Sequence, residues 1–174
     1  MNAGKTSSLL QVAHNYEENG EKVLLLTSAL DDRTGRGVIS SRIGLSREAD
    51  TYNTHTNFFE LLKGIDVICV LIDEAQFLTV EQVRQLHEWV HTRNIPVMCF
   101  GLRSDFQGHS FPGAAELLTL ADNLEEIRTA CRCGKKATMN IRIDEVGERV
   151  KEGAQVLIGG NGRYRQVCAR CFYN

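Results

Sequence analysis

Met1-Asn2-Ala3-Gly4-Lys5-Thr6 opens the chain and runs directly into a helical pattern from Ser7. Gly-Lys-Thr ahead of a helix is the second half of the turn G-x-x-x-x-G-K-[ST], whose backbone N–H groups wrap nucleotide phosphates. In that turn the lysine reaches the β- and γ-phosphates and the hydroxyl ligates Mg²⁺. The pattern places its leading glycine, and the strand that feeds the turn, before Met1. A second element supports the reading. Asp66-Val67-Ile68-Cys69-Val70-Leu71-Ile72-Asp73 is a continuous apolar run ending in a carboxylate. Such a run reads as a strand buried on both faces, as in a parallel sheet. Its carboxyl end would carry Asp73 to the Mg²⁺ held by Thr6.

Working outward, helix and strand patterns alternate. A helix is expected over residues 6–19, with Leu9, Leu10, Ala13 and Tyr16 on one side and Gly20 as its stop. Strands are expected over 21–27, 66–73, 95–101 and 124–130. Helices are expected over 56–63, 79–93 and 112–121, the second with a Thr79/Gln82 capping box and the third starting on Pro112. Residues 31–50 are polar and carry glycines without a stable period, and read as a mobile loop near the phosphates. Alternation of this kind predicts an α/β fold, a parallel sheet flanked by helices, with ligands at the carboxyl ends of the strands.

The chain has 174 residues, a formal net charge of −2 and a pI near 6.2. That is enough for one core plus a small appendage. The charge gives no general nucleic-acid or membrane surface. No apolar stretch approaches the ~20 residues a bilayer span needs. With no signal peptide pattern at the start, an intracellular, cytoplasmic setting is the expectation.

Six cysteines fall into two groups. Cys69 and Cys99 sit in apolar runs, as small buried thiols do. Cys131-x-Cys133 and Cys168-x-x-Cys171 are two tight pairs that read as four thiolates for one structural Zn²⁺, rather than as disulfides, in an intracellular chain. Such a site would pin both ends of residues 134–167 as a tethered flap. The domain boundary is therefore expected at Cys131, giving 1–130 and 131–174. Gln155-Val156-Leu157-Ile158-Gly159-Gly160 within the flap reads as an apolar strand running into two glycines.

Glu74 follows Asp73, and a second carboxylate there suits a general base. Phe77 and Phe106 follow strand ends; each either lines a flat-ring pocket or packs in the core. His87 and His91 are spaced i, i+4, but the pattern offers no further ligand, so a solvated helix face is expected.

Together Met1 to Thr6, Asp31-Asp32-Arg33, Asp73-Glu74-Ala75-Gln76-Phe77, Gly101-Leu102-Arg103-Ser104-Asp105-Phe106, the cysteine pairs and Ile158-Gly159-Gly160-x-x-Arg163-Tyr164 resemble the thymidine kinases shared by bacteria and animal cytosol. The resemblance covers essentially the whole chain. It implies a RecA-like P-loop domain with a zinc-bearing lasso, a preceding mid-sheet strand, and a tetramer. It implies ATP with Mg²⁺, thymidine or deoxyuridine as acceptor, and feedback inhibition by dTTP. By position, Glu74 is the implied base. Met1, Asn2, Ala3, Gly4, Lys5, Thr6, Asp31, Asp32, Arg33, Asp73, Glu74, Ala75 and Gln76 form the implied nucleotide and Mg²⁺ set. Phe106 is the implied aromatic on the thymine ring, with Met1, Leu102 and Phe77 near it. Main chain of Gln155, Val156, Leu157, Ile158 and Gly159 is implied to meet the base, with Tyr164 beyond. Arg103 departs from the pattern, standing where some relatives carry Asp.

Two other classes remain in view. Asp73-Glu74-Ala75-Gln76 with cysteine pairs also suits a zinc-containing nucleic-acid-dependent ATPase, although such motors need two lobes and a basic stripe. A non-catalytic zinc-held interaction module is the third.

Overall fold

A computed structural model describes residues 3–30, 37–157 and 161–174. Helix α1 (Lys5–Glu18) starts directly after Gly4, whose φ of 79° turns the chain into it. Strand β1 is Val23–Ser28, followed by β2 (Val38–Ser40), β3 (Ser46–Glu48) and β4 (Asp50–Tyr52). Helix α2 (Phe58–Leu61) leads to β5 (Cys69–Ile72), the 3-10 turn Ala75–Phe77 and helix α3 (Val80–Arg93). Strand β6 (Val97–Cys99) and helix α4 (Pro112–Leu120) complete the first region.

The central sheet has the order β4-β1-β5-β6, and every pair in it is parallel. β5 is buried throughout, and its alternate side chains feed two cores. Val70 and Ile72 pack with Leu26, Tyr52, Phe58, Leu86 and Trp89 under α2 and α3. Cys69 and Leu71 pack with Leu9, Leu10 and Ala13 of α1 on the other face. This two-sided burial is why the run carries no polar alternation. Helix α3 starts on the expected capping box: Thr79 Oγ1 accepts from the Gln82 N–H at 3.1 Å, and Gln82 Oε1 accepts from the Thr79 N–H at 3.0 Å.

Two expectations for residues 1–130 are corrected. Part of 31–50 is regular structure: β2 and β3 form an antiparallel hairpin, and β4 joins the edge of the parallel sheet with Leu26 opposite Asp50. Residues 31–36 lie outside the described residues. The strand expected over 124–130 forms only at β7 (Thr129–Ala130), which pairs antiparallel with β8 (Lys136–Ala137) instead of joining the parallel sheet.

The C-terminal region adds β9 (Met139–Ile143), β10 (Arg149–Val150), β11 (Tyr164–Val167) and helix α5 (Ala169–Tyr173). Its sheet runs β10-β9-β11, antiparallel throughout. The strand expected from Gln155 is absent at 155–157, which is irregular.

α4 packs on the end of the 3-10 turn, where Gly113 lies under the Leu78 carbonyl. A Cβ at Gly113 would stand 2.1 Å from that oxygen. Gly113→Ala should therefore force α4 outward and destabilise the fold by about 1–3 kcal/mol. Urea denaturation checks this; an unchanged midpoint contradicts the close packing.

Candidate active site

Thr6 is on the first turn of α1, and Asp73 directly follows β5. Thr6 Oγ1 donates to Asp73 Oδ2 at 3.1 Å, so the turn and the strand end meet although they are far apart in sequence. Asp73 is buried. Burial pushes its carboxyl up to about 6, and the neighbouring charge of Glu74 adds to that. The Glu74 N–H, donating to Asp73 Oδ1 at 2.9 Å, opposes the shift, as do the Lys5 charge and the Thr6 hydroxyl. A cation beside Asp73 would oppose that rise and favour the carboxylate.

Glu74 holds a left-handed conformation, φ 52° and ψ 37°. Such backbone costs about 1–3 kcal/mol in a non-glycine residue and persists only where surroundings enforce it. The surroundings here are two side chains. Tyr52, fully buried on the edge strand β4, donates its hydroxyl to the Glu74 carbonyl at 2.8 Å. Burial raises the Tyr52 phenol above its ordinary value, which keeps it a donor. Gln76 donates Nε2 to Glu74 Oε2 at 2.5 Å and accepts the Leu102 N–H on Oε1 at 3.0 Å. Gly101 permits that last contact, since a Cβ there would stand 2.9 Å from the Gln76 nitrogen. The strained backbone therefore holds a half-buried carboxylate at the carboxyl end of β5, directly after Asp73.

Beyond the acids, Phe77 packs edge to face on Phe111, with centroids 6.0 Å apart. Phe106 is 1 % exposed, and the Arg142 guanidinium lies 3.8 Å from its ring centroid. Arg142 is itself buried at the inner face of β9. It donates to the Tyr164 hydroxyl at 2.8 Å and to the carbonyls of Ala154 and Gln155 at 2.9 and 3.3 Å. Gln155 Nε2 in turn donates to Asp105 Oδ2 at 2.9 Å. Phe106, Asp105, Gln155 and Tyr164 are thus tied together around one cation, while Val156 and Leu157 are exposed. Arg103, the residue that departs from the family pattern, reaches the Thr138 carbonyl at 3.0 Å and so joins the two regions.

Of the residues singled out from the sequence, the structure brings Lys5, Thr6, Asp73, Glu74 and Gln76 together, with Ala3, Gly4 and Ala75 beside them along the chain. Met1, Asn2, Asp31, Asp32, Arg33, Ile158 and Gly159 lie outside the described residues. Sequence reasoning missed Arg142 and Tyr52. The signal for Arg142 was slight: in Met139-Asn140-Ile141-Arg142-Ile143 it alternates with apolar residues alongside Asn140, as a surface-facing residue would.

Cys131, Cys133, Cys168 and Cys171 converge: their sulfurs all lie within 4.8 Å of one another. Cys133 Sγ is 3.5 Å from Cys131 Sγ and 3.6 Å from Cys168 Sγ. Four thiolates about 2.3 Å from a tetrahedral Zn²⁺ would be spaced at about 3.8 Å, so the set fits. The electrostatics agree. N–H groups of Cys133 and Cys168 hold the Cys131 thiol down at about 6, while neighbouring sulfurs push Cys171 up to about 12. Four thiolates cannot collect here without a cation to balance them.

A parallel sheet, a Gly-Lys-Thr helix start and an acid pair at the next strand end define an α/β nucleotide-binding protein of the P-loop class. Comparison narrows this. The family described as thymidine kinase matches residues 1–172. The chain is 60 % identical to a thymidine kinase of Chromobacterium violaceum, over 100 % of this chain and 94 % of that one. It is 58 % identical to one of Albidiferax ferrireducens, over 99 % and 88 %, and 53 % identical to one of Idiomarina loihiensis, over 98 % and 90 %. The chain belongs to the thymidine kinase family.

Proposed function

We propose that this chain transfers the γ-phosphoryl group of ATP to the 5′-hydroxyl of thymidine, giving dTMP and ADP, with deoxyuridine as a second acceptor. The observation that carries the reading is the contact of Thr6 with Asp73 beside a strained Glu74, in a chain of this family.

Glu74 accepts the proton of the 5′-hydroxyl. The freed oxygen attacks the γ-phosphorus in line, and the bond to the β-phosphate oxygen breaks with its electron pair leaving on ADP. Lys5 neutralises β- and γ-phosphate charge, and the N–H groups at the start of α1 cradle the phosphates. Thr6 Oγ1 and Asp73 would hold Mg²⁺, which when bound neutralises charge developing on the bridging oxygens. Asp31, Asp32 and Arg33 complete the nucleotide set, with Arg33 stabilising transition-state charge. Met1, Phe77 and Leu102 enclose the base, Phe106, buried under the Arg142 guanidinium, supports that pocket from behind instead of stacking on the ring, and main chain from Gln155 to Gly159 reads its edge. The four cysteines hold Zn²⁺ as a structural ion that pins the flap. Residues 1–130 and 131–174 act as separate nucleotide-binding and lasso domains. A cytoplasmic homotetramer inhibited by dTTP completes the proposal. No helix among the described residues is long and apolar enough to cross a membrane.

The test is direct: protein, ATP, Mg²⁺ and a panel of nucleosides, scored for 5′-monophosphate. Thymidine should be phosphorylated; ATP hydrolysis to ADP and phosphate with no nucleoside 5′-monophosphate formed overturns the reading.

Arg142 supplies a sharper check on the flap. Arg142→Met removes the donor to Tyr164 and two carbonyls, each loss worth about 1–3 kcal/mol when the group stays buried. The KM for thymidine should rise at least tenfold, about 1.4 kcal/mol, with the KM for ATP nearly unchanged. Arg142→Lys should not restore it, because an ammonium cannot fork to three acceptors and stack on a ring. Equal changes in both KM values would remove Arg142 from base positioning.

A further inference from the structure

The C-terminal half of α3 carries His87 and His91 one turn apart, on a face remote from the strand-end crevice. Their rings meet edge to face with centroids 4.6 Å apart. Spacing i, i+4 alone would leave a solvated pair. The fold adds a third group: the chain leaving α4 returns Asp122 to this face, with Oδ2 3.5 Å from His91 Nε2. One donor atom from each of the three residues lies within 4.8 Å of the other two.

We propose that His87, His91 and Asp122 bind a divalent transition-metal cation, distinct from the cysteine cluster, that clamps the end of α3 to the exit of α4. Imidazole with one carboxylate is a donor set for Zn²⁺, Ni²⁺ or Cu²⁺. Donors about 2.0–2.1 Å from such an ion stand roughly 3–3.4 Å apart. The widest separation here closes to that by small side-chain rotations. His91 and Asp122 are exposed, at 51 % and 60 %, so these rotations disturb no core. Three protein ligands leave positions for water, so the site exchanges metal, unlike a closed cluster of four sulfurs.

Position gives the consequence. α3 begins at Val80, just past the turn that follows Glu74. At 1.5 Å per residue, His87 and His91 lie about 10 and 16 Å along its axis from that start. A metal there does not touch the acids. α3 and α4 are already bridged by Arg84 and Glu116 at 2.8 Å, and the cation adds a second tie toward the helix ends. It acts as a brace on the pair of helices that backs Phe77 and Phe111.

The test uses full-length protein with its cysteine cluster loaded and Ni²⁺ as probe, chosen for its preference for nitrogen over the occupied sulfurs. Calorimetry should show uptake of one equivalent, and thermal unfolding should move upward with Ni²⁺. In His87→Ala/His91→Ala the affinity should fall at least about tenfold, that is 1.4 kcal/mol, and the thermal shift should vanish. Asp122→Asn should weaken binding by less. Cu²⁺ in place of Ni²⁺ should give electron paramagnetic resonance with nitrogen hyperfine structure, lost in the double variant. That variant should keep wild-type turnover without added Ni²⁺, which shows that it folds. Absence of uptake by the wild type, or equal uptake by the double variant, overturns the proposal.

Discussion

Glu74→Gln should bind ATP and thymidine with near-normal affinity and turn over about 10²–10⁴-fold more slowly, the span expected when a general base is removed. The structure makes this a clean experiment. Glutamine keeps the length of the side chain, and the backbone strain at φ 52° is held by Tyr52 through the carbonyl, which the substitution does not alter. What changes is the capacity to accept a proton. Gln76 now presents an amide to an amide in place of a carboxylate, and that pair can keep its contact by turning one group over. Single-turnover phosphoryl transfer in rapid quench separates chemistry from product release. A rate within about threefold of wild type, less than 1 kcal/mol of barrier, would move the base elsewhere.

Cys168→Ser should have the second large effect. Cys168 caps α5 and shares the cluster with Cys133 at 3.6 Å. Losing one thiolate of four weakens a metal whose binding is worth about 10–16 kcal/mol in small zinc domains. The C-terminal sheet has little else to hold it: its core cluster is Cys131, Ala137, Val167, Cys168 and Phe172, with Met139, Ile141 and Cys171 packed against it. Two of its five buried members are ligands. Metal content by mass spectrometry should fall from one equivalent to near zero, and thymidine phosphorylation with it. Nucleotide binding at Lys5 and Thr6 should persist, since that turn rests on the parallel sheet. Cys99→Ala, which removes a thiol that burial pushes up to about 12, should keep the metal. Full activity in metal-free Cys168→Ser would contradict the pinned-flap account.

The parts legible in the sequence are those fixed by neighbours along the chain. β5 announces itself because burial on both faces leaves an unbroken apolar run. α3 is fixed by its capping box and α1 by the Gly-Lys-Thr turn. The four cysteines are legible because metal chemistry restricts spacing. What escaped was decided across the fold. Asp50-Thr51-Tyr52 is a strand only because the edge of β1 accepts it, and its exposed first residue gives no alternation to read. Residues 124–128 carry an apolar start but find no partner strand, so only Thr129 and Ala130 pair. Arg142 looks like a surface cation until the Phe106 ring, Tyr164 and two carbonyls are seen around it. Phe106 could be core or pocket by pattern; the structure seals it under that guanidinium. Asp122 turns an unremarkable histidine pair into a three-donor cluster only through the return of the chain after α4.

The most direct measurement is a crystal structure of the chain with thymidine, Mg²⁺ and a non-hydrolysable ATP analogue. The 5′-oxygen should lie about 2.6–3.2 Å from the Glu74 carboxylate, in line with the γ-phosphorus and with Thr6 and Asp73 on the cation. Thymidine seated away from Glu74, or triphosphate bound away from Lys5, would contradict the account.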